Sequence, residues 1–324
     1  MENSEKLSES SVVSNEESQA GKLQINVPKG IAWVIFSSFG FACMSMCVRQ
    51  AGEVPFMQKA MFRNLIAFII AFTSLISVGI KDKSVFYIQK PAVKYLILRC
   101  CVGCLGIFGN FYAIGKMNIS DASMLNKMSP FFTIISSFII LGEKPTWVSV
   151  VSLVTAFTGS LFIIKPTFFL TDPSKCFPAI VGFVGGFGAG FAFACIRKLK
   201  SYNVNSKLII SVFSLFSCLL CIPNLILNYY PMTLTQTLWL LGAGVAAACG
   251  QFGITNAYFN APSSKISVYE YTNVIFAAVL GFIAFHQIPD IYSILGYVLI
   301  IGTAVVVFVV NTKKEKPKRV FSEE

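Results

Sequence analysis

The sequence predicts an all-α membrane protein of ten transmembrane helices, arranged as two inverted five-helix repeats. Three observations carry this expectation. First, 55% of the 324 residues are hydrophobic and only 13% are charged, with a mean hydropathy of +0.70. A soluble domain carries about 25% charged residues, so this chain has too little charge to face water over its whole surface. Second, apolar runs long enough to cross a ~30 Å hydrocarbon layer recur between short polar or Pro/Gly-bearing turns. Third, an offset of 143 residues lays the chain on itself, with Glu143 on His286 and Gly159 on Gly302.

Residues 1–28 are Ser- and Glu-rich without an apolar core, as expected for a disordered cytoplasmic tail and not for a cleavable signal peptide. Spans are predicted near 30–49, 57–79, 94–115, 119–141, 146–165, 178–197, 206–228, 236–259, 263–285 and 290–311. They divide into a first repeat, 29–166, and a second, 177–311. The basic tail 312–324 follows, where Lys313, Lys314, Lys316, Lys318 and Arg319 form a cytoplasmic stop suited to anionic headgroups. Of the 26 Lys and Arg, 18 lie in the tails and the loops on their side, five on the other side and three within spans. The positive-inside rule then puts both termini in the cytoplasm, which requires an even number of spans. The plasma membrane is expected rather than an organelle.

Other classes fit poorly. The net charge of +11 is dispersed over short loops, not gathered in a patch interleaved with aromatics, so nucleic acid is not an expected partner. Nine of the ten cysteines lie in apolar segments, and neither Cys101/Cys104 nor Cys218/Cys221 has further ligands at zinc spacing. They are expected to pack as small apolar side chains. The sole histidine, His286, sits at a turn, and no phosphate loop, His-Glu-x-x-His or Gly-x-Ser-x-Gly occurs. No enzyme activity, metal or cofactor is therefore expected. The run Gly185 to Gly190 follows no strand, so it is not a dinucleotide loop.

Five spans per half is an odd number, so the halves cross the membrane in opposite senses. Such inverted repeats mark secondary transporters, with the substrate site near the midplane where the halves meet. The chain also carries short motifs whose order and spacing run across both halves. Phe111-Tyr112-Ala113, Ala122, Ser129-Pro130, Gly142-Glu143 and Gly159 resemble the first-half signature of the drug/metabolite transporter superfamily, EamA type. Ala257-Tyr258, Pro262, Tyr271, Gly281, Pro289, Gly296 and Gly302 resemble the second. The resemblance implies a ten-helix fold, a central cavity lined mainly by helices 1, 3, 4, 6, 8 and 9, and solute transport by alternating access. One departure is His286-Gln287, where the pattern has Glu.

Charges inside a membrane are costly and usually face the bundle interior. Lys127 and Glu270 each lie about eight residues into their predicted helices, and the offset of 143 carries one onto the other. Inversion should place them about 10 Å apart along the membrane normal. They either flank a substrate or form a permanent ion pair, and Glu270 is also a candidate proton-coupling carboxylate. Asn126 and Tyr269 flank the same positions. Arg63 and Arg99 lie nearer span ends, where snorkelling to a headgroup competes with a cavity role. Tyr112, Asn256 and Tyr258 add polar groups on candidate cavity helices, and Pro130 should bend helix 4. Gly182, Gly186 and Gly190 on helix 6, and Gly242, Ala246 and Gly250 on helix 8, form small-residue stripes suited to close packing.

The expected function is a secondary transporter for a small polar metabolite, an amino acid or an organic anion or zwitterion, since intramembrane cations outnumber Glu270. The alternatives are a nucleotide-sugar or phosphorylated-metabolite exchanger and, from another class, a receptor or channel. The expected partners are the small-molecule substrate and the lipid bilayer, with the chain a monomer or homodimer.

Overall fold

The computed structural model describes residues 25–116, 124–164, 176–286 and 290–315. Residues 1–24 of the first predicted tail, 316–324 of the second and the start of predicted span 4 lie outside them. The first half contains α1 (Val27–Gln50), α2 (Phe56–Gly79), α3 (Lys90–Lys116), α4 (Met124–Leu141) and α5 (Trp147–Ile164). The second contains α6 (Cys176–Ser201), α7 (Ser206–Leu227), α8 (Leu234–Asn260), α9 (Ser263–Phe285) and α10 (Ile291–Glu315). Among the described residues nine helices are long and apolar enough to cross a membrane, and α5 is a shorter apolar helix of 18 residues. Large apolar side chains such as Ile139, Phe177, Ile226 and Val298 cover the outer surface, as a lipid-facing bundle requires.

Local chemistry sets the helix ends. Asn26 caps α1 by accepting from Lys29 N at 3.0 Å, with Pro28 in the first turn. Thr233 and Gln236 form a reciprocal capping box at the start of α8. Gly142 ends α4 at φ 71°, and His286 ends α9 in the same left-handed region at φ 52°. Thus the two halves stop their fourth helices in one way, at almost the same repeat position.

Packing follows a two-fold exchange of the halves. The most extensive interfaces are α1 with α8 and α3 with α6, which the exchange converts into one another. The pairs α2–α7 and α5–α10 are each converted into themselves. The glycine stripes are packing surfaces. A side chain at Gly190 of α6 would meet Ser129 O of α4 at 2.5 Å, and one at Gly40 of α1 would meet Gly250 N of α8 at 2.8 Å. Ser37 Oγ donates to Gly250 O across that second contact at 2.7 Å.

The chain enters α1 and leaves α10 on one face, here called the terminus face. Apolar packing is dense toward this end, where Val27, Ile31, Ile196, Leu199, Ala257 and Ile266 form one buried cluster. The opposite face is where the helical frame opens.

Candidate functional site

A cavity of about 840 Å³ lies between the halves, within the usual size of a small-molecule site. Its lining starts at exposed Arg49 and Gly52 by the α1–α2 turn and runs inward to Phe193, Ile254 and Glu270. It therefore opens on the face opposite the termini. Helices α1, α3, α4, α6, α8 and α9 all contribute, but α2 also brings Lys59 and Arg63, and α7 brings Phe213.

Two broken helices position the central charges. Pro130 has no N–H to donate, so α4 interrupts at a Lys127–Met128 turn and resumes at Ser129. At the turn Phe131 N bonds Met128 O, and the Lys127 carbonyl that this leaves over accepts from the Tyr271 hydroxyl of the other half, at 2.9 Å. In α9 the equivalent stretch, Ser267–Tyr271, tightens into a 3-10 helix that holds Glu270. Irregular backbone at this depth is tolerated where protein or a cavity satisfies its polar groups. The predicted bend of helix 4 is thus present as a break, and α9 has a matching one.

Lys127 and Glu270 both line the cavity. Lys127 Nζ donates to Asn273 Oδ1 at 2.6 Å, and Asn273 Nδ2 donates to Ser38 O at 2.9 Å. Glu270 accepts a short hydrogen bond from the Tyr258 hydroxyl, whose ring stacks on Phe193 with centroids 5.4 Å apart. Each charge is held by a neutral partner, not by the other charge.

Arg63 and Arg99 do not snorkel. They are 7% and 3% exposed, and both line the cavity. Arg99 lies over the Phe213 ring at 3.9 Å and reaches Gln251 Oε1 at 3.5 Å. Arg63 lies 5.9 Å from the Phe41 ring centre. The Nε atoms of both arginines and Oδ1 of Asn110 are buried without a hydrogen-bond partner among the described residues.

Of the other sequence candidates, Asn126 lines the cavity and Tyr258 acts from behind through Glu270. Three do not belong to the lining. Tyr269 points to α10 and donates to Ala304 O at 3.1 Å, because successive helix residues project about 100° apart. Tyr112 packs edge-on against Phe177, and Asn256 offers its backbone carbonyl to Asn260. Sequence reading missed Asn273 and treated Arg49 and Lys59 only as loop charges. Asn273 was findable, since it lies three residues after Glu270 and so on the same helix face.

Toward the terminus end, an ion pair between buried Arg197 and half-buried Glu143 ties helices together. Arg197 of α6, 1% exposed, donates from Nε to Glu143 Oε1 at 2.8 Å and from Nη1 to Tyr258 O at 3.3 Å. The second oxygen of Glu143 accepts from Ser263 N, the first residue of α9, at 3.2 Å. One carboxylate in the α4–α5 turn thus ties down α6 and α9.

Comparison with known proteins agrees with this architecture. The model of the EamA-like transporter family matches residues 28–165 and again residues 177–309. The chain is 28% identical to the pseudopaline exporter CntI of Pseudomonas aeruginosa, over 84% of this chain and 93% of that protein. It is 24% identical to a riboflavin transporter of Vibrio cholerae, over 90% and 96%. Human solute carrier family 35 member G1 is also 24% identical, over 85% and 78%. One crystal structure shares the fold with a TM-score of 0.75 at 13% identity, covering 88% of this chain and 99% of that one. Two family matches, one on each five-helix half, establish that the chain belongs to the EamA-like transporter family and is a multi-pass membrane transporter, not an enzyme.

Proposed function

We propose that the protein is a secondary transporter of a small anionic or zwitterionic metabolite, working by alternating access. One observation carries this reading. Among the described residues, the cavity is lined by Arg49, Lys59, Arg63, Arg99 and Lys127 against one carboxylate, that of Glu270. In a low-dielectric enclosure such an excess of cations attracts anions and repels cationic solutes. The pair of broken helices supports the substrate position, with Lys127 and Glu270 at the crossing point of the halves. The Arg197–Glu143 pair supports a reading of this conformation as closed at the terminus face and open opposite it.

The loop charges favour a cytoplasmic terminus face, so this conformation would open away from the cytoplasm, and we place the protein in the plasma membrane as part of the same proposal. The test is uptake into liposomes containing the purified protein, with labelled amino acids, organic acids and amines compared. Saturable uptake of anions or zwitterions but not of amines is expected. Uptake confined to cationic amines would overturn the proposal.

A further inference from the structure

The arginine pair is electrically unfinished. Each guanidinium offers five N–H donors, yet among the described residues the only hydrogen bond either makes is that of Arg99 to Gln251, at a long 3.5 Å. No carboxylate among the described residues pairs with either group. Both guanidinium groups stand in the wall of the same cavity. Burying charge without a partner is strongly unfavourable, and two like charges in one volume compound the cost. An aromatic face, Phe213 under Arg99 and Phe41 beside Arg63, relieves only part of it.

The surroundings are shaped for this arrangement. Gly103 faces Arg99, and a side chain there would run into the Arg99 Nη1 and the Phe213 ring. Glycine at that position leaves the guanidinium its place at the cavity wall. Asn110 lies eleven residues beyond Arg99 on α3, nearly the same helical face, and its buried Oδ1 has no donor. Arg63, Arg99 and Gln251 come from α2, α3 and α8, whereas Lys127, Glu270 and Asn273 come from α4 and α9. The cavity therefore has two polar walls.

We propose that Arg63 and Arg99 form an oxyanion subsite separate from the Lys127–Glu270 site, so that the substrate carries two acidic groups, one of them a carboxylate or phosphate held by the arginines. This rests on the transport reading above and narrows it. The planar guanidinium fork matches carboxylate and phosphate oxygens two at a time, and a bound oxyanion offsets the buried charge.

The experiment is equilibrium binding to the purified full-length protein, using succinate and glycerol 3-phosphate as dianion probes and alanine as the single-carboxylate probe. Wild type should bind at least one dianion more tightly than alanine, and the better probe tells carboxylate from phosphate. Arg63→Gln or Arg99→Gln should each weaken that dianion by at least roughly 30-fold. Arg99→Lys, which keeps the charge but loses the fork, should fall between them and wild type. Alanine bound as tightly as both dianions, or dianion affinity unchanged in both glutamine variants, would overturn the subsite. If the variants fail to fold, the wild-type comparison of dianion with alanine still decides. Alanine binding and transport without dianion binding would sink the subsite alone, whereas uptake confined to cationic amines would sink the anion-transport reading with it.

Discussion

The two halves of the cavity share a backbone plan and differ in electrical content. From α1–α5 come Arg49, Lys59, Arg63, Arg99 and Lys127, while α6–α10 supply Glu270 and the neutral amides of Gln251 and Asn273. Their fourth helices break at corresponding places, yet by different means. The first breaks ahead of Pro130, and the Lys127 carbonyl at the break is satisfied by Tyr271. The second uses a 3-10 stretch supported by Ser267, which donates to Ser263 O at 2.8 Å. The two-fold exchange therefore fixes where helices break and pair, whereas the charges of the cavity wall come from side chains that the exchange does not preserve.

The sharpest challenge to that contrast is to remove one charge from each half. Lys127→Ala should reduce transport by roughly 100-fold, since a charge-assisted contact to substrate is lost and Asn273 is left without its donor. Glu270→Gln should cost less, because the amide keeps the shape of the site and an oxygen for Tyr258. Liposome uptake with surface-exposure controls measures both. The double exchange Lys127→Glu with Glu270→Lys should not restore activity, because each side chain has its own neutral partner; full rescue would reveal a structural pair that exchanges between conformations.

A smaller effect is expected at the interface between the halves. Gly190→Ala forces a methyl against Ser129 O at 2.5 Å and Thr133 N at 2.8 Å. It should destabilise the detergent-solubilised protein by about 1–3 kcal/mol, seen as earlier thermal unfolding. Gly302→Ala meets nothing within 4 Å and should leave the transition where it is or raise it slightly. The smallest change is Tyr269→Phe. It deletes one hydrogen bond to Ala304 O, worth about 0.5–1.5 kcal/mol, and should leave transport near wild type; a large loss would return Tyr269 to the substrate site.

Much of the frame was legible because membrane solvent simplifies the code. Apolar length gives spans, Pro and Gly give breaks and ends, and an offset of 143 put Lys127 and Glu270 in register. Side-chain direction was less legible. Tyr269 and Glu270 are neighbours in sequence, and only rotation about the helix sends one to α10 and the other to the cavity. Arg63 and Arg99 were ambiguous for another reason. Position along a span gives depth, but whether a long cation turns to headgroup or interior depends on what its neighbours leave open. Gly103 beside Arg99 is such a neighbour, and its meaning needs the partner ring of Phe213 from α7. Contacts between distant segments, such as Arg197 with Glu143, have no local signature at all.

That ion pair has a bearing on the cycle as a whole. If identical contacts held both ends, the two orientations of an empty carrier would be equal in energy and equally occupied. The register instead puts exposed His286 opposite Glu143, so the carboxylate that accepts from both Arg197 and Ser263 has no acidic counterpart at that repeat position. Breaking a buried pair costs about 3–5 kcal/mol when one charge is left dry, and rehydration on opening returns part of that. In the proposed alternating-access cycle the remainder would act as a spring on a turnstile, setting the side on which the unloaded protein waits until substrate binding offsets it.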